Sequence, residues 1–257
     1  MSIKLNNFLK CYESKGEHTH TSISKGKWEI PDDKMEEFFV LYTDAINENE
    51  ELHLTEKHIL EAGPIVIDLD FRFKEEIEPR PINEKIIEKI VKDLTNILRE
   101  MFGEENYSCF VLQRPCGYKK KEYWNDGLHI QFPYIICEYI FQFALRNKFI
   151  NTCDIEVECE TKLKDIYDDS VIKNNNWCMY LSTKPGIKPY ELKWIFNSDN
   201  KPDDYTVLEL VKLLSIRNKT KKEILKPINY DVGKYDEQII GKLKNWYYLQ
   251  KAQNKSF

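Results

Sequence analysis

The chain has 257 residues, of which 42% are hydrophobic, 13% aromatic and 32% charged, with a formal net charge of −5. This length sets a prior of one large domain or two intimately packed modules, and the composition is that of an ordinary soluble globular chain rather than a disordered or membrane one. No apolar run approaches the roughly 18 residues of a membrane span, and the opening MSIKLNNFLKCYESKG lacks the apolar core of a signal peptide, so an intracellular protein with no membrane partner is expected.

The seven cysteines include no CxxC pair, which argues against a disulfide framework and a ribbon-type zinc site. They read as reduced, packed side chains, with Cys153 and Cys159 open to a looser metal site. An acidic balance does not advertise nucleic-acid binding, but local basic patches can coexist with a carboxylate-rich centre.

In chain order, IPDDKMEEFFVLYTDAI from Ile30 predicts a surface helix, with Met35, Phe38, Phe39 and Tyr42 at helical spacing. Ile65 to Phe73, IVIDLDFRF, follows Gly63-Pro64 and reads as a buried strand. Asn83 caps a predicted helix whose apolar face carries Ile86, Ile87, Ile90, Val91, Leu94, Ile97, Leu98 and Met101, ending near Gly103. Strands are expected at Ser108 to Gln113 and Leu128 to Phe132, separated by the basic loop RPCGYKKKEYWNDG. A helix from about Cys137 to Phe149 follows, then strands around Trp177 to Ser182 and Glu191 to Phe196. Beyond Pro202 two helical groups are expected, one with Leu208, Leu210, Val211, Leu213 and Leu214, the other with Ile239, Ile240, Leu243, Trp246 and Leu249. Single strands mixed with helices point to the α+β class.

Side chains two apart on a strand share a face about 7 Å apart, so Asp68 and Asp70 project together while Leu69 faces away. Like charges on an apolar strand repel, and hard divalent cations relieve that repulsion. A pair of solvated acids at a strand end is the alternative. Gly127-Leu128-His129-Ile130-Gln131 puts His129 and Gln131 on one face of another strand, where His129 is either a satisfied structural residue or a phosphate contact. The stretch IYDDSVIKNNNWCMYLSTKPG offers Asp168 or Asp169 as a further carboxylate, then Lys173, Asn176 and Lys184.

An hDhD strand, then small-x-His on another strand, then apolar-Asp is similar to the three-part signature of archaeo-eukaryotic primases (AEP), present here as VIDLD, GLH and IYD. HTHTSISKGKWEIP, LTEKHI, DGLHIQFP and DDSVIKNNNWCMYLSTKPGIKPYELKWIF further resemble the branch at the front of primase-helicases of nucleocytoplasmic large DNA viruses, related to cellular primase-polymerases. The resemblance implies an RRM-like (palm-like) catalytic module packed on an N-terminal α/β module over residues 1–200, with 201–257 a helical extension. It also implies template-directed nucleotidyl transfer from NTP or dNTP on single-stranded DNA, with two magnesium or manganese ions. The implied ligands are Asp68, Asp70 and Asp168, since the family's acid stands two residues before the Ser-Val pair. The implied triphosphate contacts are His129 and Lys184, and the further nucleotide or template contacts are Arg72, Lys173, Asn176 and Arg114. Gly127 stands where many relatives have serine, and Cys178 where the cellular relatives have arginine, which leaves the nucleotide grip open.

Trp124, Tyr123 and the Lys119 to Lys121 run suit stacking and phosphate contact with template, or form a solvated turn. A metal-dependent nuclease and a non-catalytic template-binding module remain as alternatives. No GxxxxGK[ST] loop occurs, so helicase activity is expected from a further domain or subunit. A viral primase would work in the host cytoplasm or nucleus.

Overall fold

The computed structural model describes residues 2–218 and 223–228 and is α+β. Helix α1 (Ile3–Cys11) precedes strands β1 (His20–Ser22) and β2 (Lys27–Trp28), helix α2 (Met35–Asn47) and strand β3 (Leu54–Glu56). Strand β4 (Ala62–Phe73) and helix α3 (Glu84–Phe102) lead to β5 (Cys109–Gln113), β6 (Tyr118–Lys120) and β7 (Tyr123–Glu138). Helices α4 (Tyr139–Thr152) and α5 (Leu163–Ile166), strands β8 (Trp177–Cys178) and β9 (Glu191–Phe196), and helix α6 (Val207–Leu213) complete the order.

The main sheet runs β4-β7-β5-β9, antiparallel throughout, with β6 forming a hairpin on the start of β7. Alternation along β4 sends Ile65, Ile67, Leu69, Phe71 and Phe73 into one core with the buried faces of α3 and α4. Asn83 caps α3 as expected, its side chain accepting from the Ile86 N–H at 3.2 Å. A smaller sheet, β2-β1-β3-β8, rests on a second core built from α1 and α2, in which Phe8, Phe38, Phe39 and Tyr42 are buried. The carboxylate-bearing face of the main sheet lies on the β8 side, where Val66 packs with Trp177 and Ile216.

Strand β4 is the sheet's edge, and it is covered. Residues 160–168 lie along it: Glu160 N–H donates to Arg72 O at 2.8 Å, Leu69 bridges Tyr167, and Asp168 N–H donates to Asp68 O at 3.0 Å.

Several expected boundaries move. The helix expected from Ile30 starts at Met35, because Pro31 is extended and Asp32–Lys34 form a 3-10 turn. The five-residue strand at Leu128 is the centre of a sixteen-residue one, and the basic loop before it is largely the β6–β7 hairpin. The helix expected from Cys137 starts at Tyr139, since β7 continues through Glu138. The strand expected to reach Ser182 stops at Cys178: Leu181 sits at φ +62° and Ser182 N–H turns back to Met179 O. Helix α1 and strands β1 to β3 carry too little local periodicity to have been expected. The helical group at Ile239 to Leu249 lies outside the described residues.

Candidate active site

Strand pairing assembles the centre. Asp68 faces His129 and Asp70 faces Gly127 across β4 and β7, so both carboxylates and the imidazole share one face. Asp68 Oδ1 lies 3.6 Å from His129 Nε2. Burial pushes the Asp68 carboxyl well above its usual range, and Asp70 and Asp168 push it further, against Lys184 and Arg114. Burial also raises Asp70, with Lys184 opposing and Asp168 adding to the rise. His129 is held well below the usual imidazole range, first by burial and then by Arg114 and Lys184, so it is neutral at pH 7.

The third acid sits beside this pair but is turned inward. The Asp168 carboxylate accepts from the Ser170 N–H and hydroxyl, both at 2.9 Å, while its backbone is tied to Asp68. Its charge bears on both Asp68 and Asp70. Asp169 instead begins the 3-10 turn of Ser170–Ile172.

The cations surround the pair. Lys184 is exposed in the turn that contains Gly186, and its charge reaches Asp68, Asp70 and His129. Arg114 is buried, donates to Lys188 O and to Thr183 Oγ1, and lies over the Tyr190 ring at 3.9 Å. Arg72 is exposed one step beyond Asp70 on the same face of β4, and its charge acts on Asp70. Two of the expected contacts are engaged by other elements. Lys173 Nζ lies 4.7 Å from the Tyr139 ring centroid, and burial lowers its pKa to about 8. Asn176 donates to Thr21 Oγ1 at 2.9 Å and Thr55 Oγ1 at 3.3 Å, tying the chain to the smaller sheet.

Four further residues support the centre without having been singled out. Tyr190 stacks on His129 at 3.6 Å, and Trp177 packs on His129 at 4.6 Å. Trp177 is held in turn: its Nε1–H donates to the Gln131 carboxamide oxygen at 2.6 Å. Asp126 binds the Arg80 guanidinium and accepts from the Gly127 N–H at 2.7 Å, and Arg80 also donates to Arg114 O at 2.7 Å. That clamp joins the turn before α3 to the β7 backbone opposite Asp70. No local pattern marks these residues, because each acts across a long sequence separation.

Among the described residues, no group of three or more His, Cys, Asp or Glu side chains is set to hold a metal ion. The chemistry of the pair nevertheless fits one. Asp68 Oδ1 is buried with no hydrogen-bond partner, and two hard oxygen donors converge where their own charges are disfavoured. A divalent cation of the magnesium or manganese type relieves both conditions.

Residues 18–196 match the family described as C962R protein N-terminal AEP domain. The chain belongs to this AEP family. The matched span contains Asp68, Asp70, His129, Asp168 and Lys184. The AEP chain is 32% identical over 217 residues to "Putative helicase L207/L206" of Acanthamoeba polyphaga mimivirus, covering 78% of this chain and 22% of that protein. It is 26% identical over 218 residues to "Putative helicase 184R" of Invertebrate iridescent virus 6, covering 71% of this chain and 22% of that protein. The AEP chain therefore spans about a fifth of the length of the curated relatives it matches. Its family supports a primase-type function in general terms. No described helix is long and apolar enough to cross a membrane.

Proposed function

We propose that this AEP domain is a DNA primase or primase-polymerase that joins NTPs or dNTPs on a single-stranded DNA template. The observation that carries the reading is the half-buried Asp68–Asp70 pair beside neutral His129, with a buried, unpartnered Asp68 oxygen and with Lys184 and Arg114 close by.

Phosphoryl transfer requires alignment and charge neutralisation more than covalent participation by side chains. Magnesium or manganese held by Asp68 and Asp70, with Asp168 as third ligand, would acidify the attacking 3′-hydroxyl and offset charge on the triphosphate and departing pyrophosphate. In this reading Asp68 and Asp70 are ligands, not general bases. For Asp168 to join them, its carboxylate exchanges the two Ser170 hydrogen bonds for the ligand position. His129 offers a directional N–H to a phosphate oxygen, while Lys184, Arg114 and Arg72 supply positive charge. Lys173 and Asn176, on the loop before β8, serve as further nucleotide or template contacts in this reading. Template passes beside the exposed lysines of the β6–β7 hairpin, Lys119 to Lys121. The names of the viral relatives suggest a helicase domain or subunit as partner, and work wherever viral DNA is copied, in host cytoplasm or nucleus.

The test is chain synthesis on single-stranded DNA with labelled nucleotides and manganese or magnesium, comparing wild type with the Asp68→Ala, Asp70→Ala double variant. New chains and pyrophosphate from the wild type alone are expected, and the ratio of rNTP to dNTP use sets the subtype. Template cleavage without incorporation would replace the reading with a metal-dependent nuclease. Template binding without either activity would replace it with a non-catalytic module.

A further inference from the structure

The ring contacts of the site converge on Tyr190. Its ring stacks on His129 with centroids 3.6 Å apart and planes 23° from parallel, while the Arg114 guanidinium covers the other face at 3.9 Å. Trp177 also packs on His129, with centroids 4.6 Å apart, and the Tyr118 ring lies 5.5 Å from the Arg114 guanidinium. The phenol end lies over Gly127. A Cβ placed on Gly127 would fall 2.8 Å from the Tyr190 oxygen and 3.3 Å from Asp70 Oδ1, so the hydroxyl occupies the space over the glycine, next to the carboxylate pair.

The ring therefore separates two groups of unlike character. His129 carries a ring N–H that is useful only when the imidazole is held in a fixed orientation. Arg114 is charged and buried; one end of its guanidinium donates to Lys188 O and Thr183 Oγ1, while its Nε has no hydrogen-bond partner and its plane rests on the Tyr190 ring. An aliphatic side chain would fill the volume but give the guanidinium no π-face and the imidazole no stacking partner.

We propose that Tyr190 is a positioning residue of the nucleotide site, a rigid spacer that sets the separation and aim of His129 and Arg114 toward the triphosphate of the incoming nucleotide. This rests on the primase reading above. Both groups would act on the bound triphosphate, so their misplacement is read in nucleotide affinity. Tyr190 also belongs to an apolar cluster with Phe110, Leu112, Leu192, Leu210 and Leu214, so a purely packing role is the competing account.

The two accounts part in kinetics. Nucleotide binding would be measured with a fluorescent nucleotide and manganese, and KM and kcat for primer extension with unlabelled nucleotide, for wild type, Tyr190→Leu and Tyr190→Phe. Positioning predicts a folded Tyr190→Leu protein with KM and Kd raised about tenfold or more, and recovery of most of that loss in Tyr190→Phe, which keeps the plate. Should the leucine variant fail to fold, Tyr190→Met, whose flexible thioether fills irregular volume, is read in the same way. A folded Tyr190→Leu or Tyr190→Met with wild-type KM and Kd would reduce Tyr190 to a core residue. A Tyr190→Phe as impaired as Tyr190→Leu would assign the effect to the hydroxyl and overturn the spacer role. If the wild type neither binds nucleotide nor extends primers, the primase reading fails and the positioning role with it. Failure confined to the variants' pattern sinks the positioning role alone.

Discussion

Asp68 is placed where its own ionised form is disfavoured, and this has a measurable consequence. Because burial raises the folded-state pKa above the unfolded value, the unfolded chain ionises first as pH rises, and the fold is relatively destabilised through that window. Asp68→Asn should therefore raise Tm at pH 7 to 8 without added metal, by about 2–4 °C for each kcal/mol relieved in a domain of this size. The gain should shrink as pH falls toward 4. Added manganese should raise the Tm of wild type more than that of the variant, and scanning calorimetry with and without chelator reads both effects. A variant that gains nothing at neutral pH would mean that Asp68 is adequately solvated. At this scale the reach of the sequence is uneven for a physical reason. Asp68, Asp70 and His129 follow from the two-residue period of a strand, which is local. Tyr190, Asp126 and Arg80 matter only through segments that the fold brings together, and no spacing rule reports that. The inward turn of Asp168 onto Ser170 is equally invisible, since it depends on a hydroxyl two residues along.

Helix α3 is the element read most completely from sequence, because its apolar face repeats for five turns and its Asn83 cap is a local signal. That cap should be worth about 1 kcal/mol, so Asn83→Ala should lower the unfolding free energy by that amount, read as a lower denaturant midpoint with an unchanged m-value. An unaltered midpoint would show that packing of Ile87, Ile90 and Leu94 alone secures the helix start. Strand β7 shows the opposite case. Its central residues alternate clearly, but it begins in the polar stretch Tyr123 to Gly127 and crosses Pro133, and both signals argue for loop. The strand is long because β4, β5 and β6 all pair with it, and the irregularity at Pro64/Ile65 absorbs the interruption. Strand β8 ends early for a comparable reason: the smaller sheet needs two residues there, and the Ser182 hydroxyl then donates nothing to a ladder but accepts from Leu54 N–H.

The two cores meet around residues whose protonation is coupled to the whole fold. His58, between the strands of the smaller and larger sheets, packs edge-on to Tyr139, and burial lowers its pKa to about 4. An imidazole with a depressed folded pKa contributes stability that is intact above about 6.5 and is lost as pH falls toward 4, on the order of 3 kcal/mol in all. Wild type should therefore lose more Tm between pH 7 and pH 5 than His58→Phe does. Buried His20, also depressed by desolvation, leaves the variant some acid sensitivity of its own. Equal losses in the two proteins would clear His58 of the effect. A second tie spans the molecule at Glu56, which accepts from the Ser215 hydroxyl and from Ile216 N–H at 2.9 Å and so fastens the segment after α6 to the smaller sheet. The α+β class was legible from the alternation of strands and helices. This closure was not, because a buried glutamate with its partners so distant in sequence resembles any surface acid.

The cover over the edge of β4 has one further meaning. A twelve-residue strand rich in branched and aromatic side chains, left open along one side, is a template for pairing with a second chain and for aggregation. Residues 160–168 block that side with the same backbone contacts that bring Asp168 next to Asp68. Edge protection and the placement of Asp168 therefore depend on one stretch of backbone. Shortening this segment would expose the strand to self-association at the same stroke as it withdrew the Asp168 carboxylate.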